Sequence, residues 1–100
     1  MASTKINIPV KYHSTGLKDL NTLSWSETAG GMFAALIYTP DANDIVIGVT
    51  IDAFSRIRAT DFIQPYINRS EGGTVYLMAN VNSFSTGGQG AKMSVRVIYI

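Results

Sequence analysis

The chain has 100 residues, enough for one small domain and not for two. Apolar types make up 46% of it and charged types 15%, which excludes a disordered tail and a charge-faced helical bundle or coiled coil. Eight basic and seven acidic residues leave a net charge of +1, so no electrostatic footprint for nucleic acid or an anionic lipid surface follows.

There is no cysteine, so stability is expected from packing and from a partner subunit rather than from disulfides. Residues 1–5 lead straight into alternating sequence, without the apolar stretch of a signal peptide. The longest apolar run, residues 32–38, is too short to span a membrane. The expectation is a complete small protein made in a cytoplasm, with no membrane association.

In chain order, Ile6, Ile8 and Val10 alternate with Lys5, Asn7 and Pro9 and predict a half-buried strand. Residues 11–26 are polar and irregular, with Gly16 as punctuation. The apolar run 32–38 predicts a strand. It ends at the turn-rich stretch 39–44, where Pro40 suits the first central position of a turn. Residues 45–51 follow, with Ile45, Ile47, Val49 and Ile51 on one face. These two runs predict an antiparallel pair closed by that turn.

Residues 53–68 keep neither period, and Pro65 forbids a regular helix through them. A short helical turn near 55–58, then an extended piece, is expected. Gly72-Gly73 marks a turn before 74–82, where Val75, Leu77, Ala79 and Val81 oppose Tyr76, Met78, Asn80 and Asn82. Residues 83–90 are rich in Gly and Ser and read as a loop. In the last strand, 93–100, Val95, Val97 and Tyr99 oppose Ser94, Arg96, Ile98 and Ile100. A strand that ends on an apolar residue fits docking in a sheet or an interface, so Ile98 and Ile100 are the candidate subunit contacts.

About five strands, Gly-marked turns and no long helix predict an all-β fold. The expected form is a single small antiparallel β-sandwich over residues 1–100, jelly-roll-like, with one short helical turn. Residues 1–23 are left open to a role as an N-terminal arm or attachment segment. Few charges guard the sheet edges, which favours an oligomer of identical chains.

Chemistry is sparse. His13 is the single histidine, with no triad pattern around it, and without cysteine a zinc set is excluded. Asp41, Asn43 and Asp44 lack the spacing and the bidentate Glu of a calcium loop and read as turn residues. Gly30-Gly31 and Gly87-Gly88-Gln89-Gly90 match no phosphate-binding fingerprint. Arg56, Arg58 and Arg69 are interleaved with Asp52, Asp61 and Glu71, which predicts local pairing. Asn68-Arg69-Ser70 fits a glycosylation acceptor by chance. No metal, cofactor or catalytic residue is expected. Trp25, Tyr12, Tyr66 and Tyr76 have flat rings that suit the apolar face of a sugar. The candidate glycan set is Trp25, Tyr66 and Tyr76, with the side chains of Asn80 and Asn82.

The cadence of the chain resembles the small β-sandwich modules of tailed-bacteriophage virions. It consists of Trp25-Ser26, the strand 32–38, a hairpin into Asp44-Ile45-Val46-Ile47-Gly48-Val49-Thr50-Ile51-Asp52, then Ser55-Arg56-Ile57. The strand Gly73-Thr74-Val75-Tyr76-Leu77-Met78-Ala79 and the closing run from Lys92 to Ile100 complete it. The resemblance covers residues 24–100 and rests on pattern rather than on an invariant motif. It implies a homotrimer with a structural role, or an adhesive one toward host-surface glycans, and it carries over no catalytic residue. No fibre shaft precedes the module, which shifts the expectation toward a capsid decoration or head-fibre protein. Its partners would be capsid or baseplate proteins of the virion, and the alternative is a host-glycan-binding adhesin of a tail fibre or baseplate.

Overall fold

The computed structural model describes residues 8–80 and 90–100. They form β1 (Lys11–Ser14), β2 (Lys18–Asp19), β3 (Trp25–Ala29), β4 (Met32–Tyr38), β5 (Val46–Ser55), β6 (Ile63–Asn68), β7 (Thr74–Asn80) and β8 (Lys92–Tyr99). In sheet I, β8 is central, with β5 along one side and β1 and β2 in succession along the other. Sheet II has the order β3-β4-β7-β6. Every pairing is antiparallel, and the two sheets pack as the expected small β-sandwich.

The period-two pattern explains the two central strands. On β7, Val75, Leu77 and Ala79 are fully buried while Tyr76, Met78 and Asn80 stay half-buried on the other face. On β8, Met93, Val95 and Val97 fill the core and Tyr99 packs against it. Leu20 and Val46 complete the largest fully buried side chains. Each such side chain contributes about 1.5–3 kcal/mol by leaving water. Within residues 1–23, the stretch left open to a role as an arm, Lys11–Ser14 and Lys18–Asp19 are strands of sheet I and Leu20 is wholly buried. Thr15 continues the ladder between them. Its N–H donates to the Val95 carbonyl at 3.0 Å, and its Oγ1 accepts from the Val95 N–H at 3.1 Å.

Several expectations are corrected. β4 and β5 do not pair: β4 lies between β3 and β7 in sheet II, and β5 pairs with β8 in sheet I. The intervening stretch therefore crosses between sheets rather than closing a hairpin. Its turn is closed by the Asp44 N–H on the Asp41 carbonyl at 3.0 Å, so Pro40 precedes the turn instead of occupying its centre. Residues 45–51 do not keep one face. A bulge between Val46 and Gly48 shifts the register, so Val46 and Val49 turn to the core while Ile45 and Ile47 are exposed. A second bulge lies between Ile51 and Ala53, and Ile51 is exposed.

No helical turn occupies 55–58, where Arg56 instead takes a positive φ of 58°. The 3-10 turns fall at Leu20–Thr22, capped by the Asp19 carboxylate, and at Arg69–Glu71. The extended piece after residue 58 is β6. Ile8 and Val10 are exposed and precede the first strand, while Ile6 lies outside the described residues. Val81, Asn82 and the loop read over 83–89 lie outside them too.

Candidate functional site

The outer face of sheet II is set by cross-strand rows. Leu36, Tyr76 and Tyr66 form one row, Ala34, Met78 and Gln64 the next, and Met32 stands opposite Asn80. No charged residue belongs to these rows. The Tyr66 and Tyr76 rings stack with centroids 5.6 Å apart and planes 15° from parallel. The Tyr76 hydroxyl donates to Glu71 Oε2 at 2.5 Å, and this bond first, then burial and the Glu71 charge, holds the phenol above its ordinary pKa. The structure thus brings Tyr66, Tyr76 and Asn80 to one face.

Trp25 does not join them. It pairs with Ala35, which faces Leu77 in the core, and its indole N–H donates to the Leu20 carbonyl at 2.7 Å. Trp25 is an inner-face residue, separated from the tyrosines by the sheet. Asn82 lies outside the described residues.

The outer face of sheet I has two halves. At one end Tyr12, Ile98 and Gly48 share a row, and Ile100 exchanges backbone hydrogen bonds with Ile45, both at 2.9 Å. The two partners of such an exchange are directly opposed, so Ile45 and Ile100 lie on the same face as Ile98. Tyr12 and Ile45 are 62% and 58% exposed, while Ile98 and Ile100 are half-buried. Gly48 leaves room for Ile98, whose Cδ1 would stand 3.5 Å from any Cβ placed there.

The other half of that face is polar. Ser14, Arg96 and Thr50 share a row, and Ser94 faces Ala53 beside it. Ser14 Oγ donates to Asp52 Oδ2 at 2.8 Å and lies 3.1 Å from Ser94 Oγ. Hydrogen bonds from Ser94 and Ser14, helped by the Arg96 charge, hold the Asp52 carboxyl below the usual carboxylate range. The Arg96 guanidinium lies 5.8 Å from the centre of the Tyr12 ring. Composition alone does not point to this cluster, because Tyr12 and Ser14 fall in a stretch without a readable period.

The remaining candidates have local roles. The His13 ring lies 4.9 Å from that of Tyr38, a contact that links β1 of sheet I to β4 of sheet II. Lys11 stands 3.8 Å from Asp44 and over the Tyr99 ring. Burial first, then Tyr99 and the carboxylates of Asp41 and Asp44, raises the Tyr38 phenol. Among the described residues no three of His, Cys, Asp and Glu gather as a metal set. Of the expected local pairs, Arg58 and Asp61 form one: the Arg58 N–H donates to Asp61 Oδ2 at 2.8 Å and its guanidinium to Oδ1 at 2.9 and 3.1 Å. Arg69 instead donates to the Val46 carbonyl. Gly30 and Gly31 form the β3–β4 turn, and Ser70 donates to Asn68 Oδ1 within its own turn. Among the described residues no helix is long and apolar enough to cross a membrane.

No family model matches the chain, and neither a curated protein nor a solved structure matches it.

Proposed function

We propose that this chain is a structural protein of a bacteriophage virion. In this reading it is a β-sandwich that assembles as a homotrimer and attaches to the particle as a capsid decoration or head-fibre component. The observation that carries the reading is the apolar end of sheet I's outer face, where exposed Tyr12 and Ile45 lie beside half-buried Ile98 and Ile100. Exposed apolar surface of this kind marks an interaction site. The outer face of sheet II, uncharged across its rows, offers a second contact for capsid or baseplate proteins. The bacteriophage setting rests on the resemblance of residues 24–100. The role is assembly rather than catalysis and needs no cofactor. Detection of the chain in purified particles, together with a native mass of three chains, tests the reading.

A second reading, a host-glycan-binding adhesin, is favoured by the Tyr66–Tyr76 stack with Asn80 on the same face. Binding on a glycan array that is lost in Tyr76→Ala and kept in Trp25→Phe is its expected signature.

A further inference from the structure

On the outer face of sheet I, beyond the Asp19–Lys92 end, the Asp52 carboxylate and the Arg96 guanidinium do not close on each other. Among the described residues Asp52 and Arg96 form no ion pair, and the Arg96 guanidinium has no hydrogen-bond acceptor, only the Tyr12 ring beneath it. Asp52 is held in place by Ser14, which in turn touches the buried Ser94. Arg96 borders the apolar end formed by Tyr12, Ile98 and Ile45, and Asp52 lies beyond the Arg96 row, against Ser14. A surface with one fixed acceptor and, beside an apolar end, one donor that has no acceptor of its own can pair with neighbouring copies head to tail, the donor of one subunit facing the acceptor of the next. An anionic or cationic ligand would meet a like charge there, whereas another copy presents the opposite charge at both points.

We propose that a second copy of this chain docks on this face, with Arg96 of one subunit paired to Asp52 of the next. The inference rests on the reading of this face as the subunit contact and adds the pairing that fixes its register.

Charge reversal tests it. Sedimentation equilibrium of Arg96→Asp and of Asp52→Arg should each show association weakened at least about tenfold, because like charges then meet. The double variant Arg96→Asp/Asp52→Arg should recover native association. Mixing the two single variants should recover contacts between unlike chains, but not a closed ring of three, since an odd ring leaves one pair of like neighbours. Recovery in the mixture separates pairing between chains from pairing within one. If circular dichroism shows Asp52→Arg unfolded, Asp52→Asn replaces it and should weaken association and flatten its salt dependence. Single variants that associate as tightly as the native chain overturn the pairing while leaving the assembly reading intact. A native chain that is monomeric overturns both.

Discussion

Val97 and Ile98 are neighbours on β8 and point to opposite faces of sheet I. Val97 is fully buried in the core, and Ile98 lies in the row with Tyr12 and Gly48. A buried aspartate at 97 has no partner for its charge, so Val97→Asp should abolish the folded circular dichroism spectrum. Ile98→Asp should keep that spectrum and instead lose the oligomer in size-exclusion chromatography, since burying such a side chain is worth about 1.5–3 kcal/mol per chain. Full association of Ile98→Asp would remove this face as an interface. Asp61 offers a pH test. Its carboxyl is held below the ordinary value by the Arg58 backbone N–H first, and then by the Arg58 side chain. A depressed folded pKa stabilises above the unfolded pKa and is lost as pH falls through the folded one. Asp61→Asn should therefore lower Tm at neutral pH, and the gap from the native chain should close on acidification. A constant gap across that range would contradict the assignment.

The strands that alternate cleanly, β7 and β8, are legible in the sequence because each has one face in the core. β5 is not, because its bulges change which residues face inward without leaving a trace in composition. The β4–β5 hairpin fails for a related reason: a turn-rich connection closes a hairpin or crosses between sheets with the same residues. β1 and β2 are hidden because their side chains are mostly exposed, and their pairing to β8 is carried by the backbone. Of the candidate site, the alternation that sets Tyr76 and Asn80 apart from the core on β7, and Ile98 and Ile100 on β8, was readable. The inward turn of Trp25 and the approach of Ser14 to Asp52 depend on contacts far apart in sequence. The β6–β7 connection makes a further test. Gly73 has a φ of +84°, and a Cβ there would stand 3.5 Å from that of Val46. Gly73→Ala should lower stability by about 1–2 kcal/mol, the cost of left-handed backbone for an L-residue, read as a reduced urea midpoint. An unchanged midpoint would show that the turn relaxes freely.

At the scale of the whole molecule, the sandwich is held by apolar burial between two sheets, and its outer faces keep apolar residues that a lone chain leaves in water. Stability drawn from packing does not depend on a bound ion, so EDTA should leave the melting temperature unchanged; a large drop would reveal a ligand set at the Asp41–Asp44 turn. Covering the apolar end of sheet I is the central claim, and it is a claim about mass. Multi-angle light scattering of the purified chain at micromolar concentration tests it most directly. The account predicts three times the chain mass, stable on dilution, and a monomer at every concentration would contradict it.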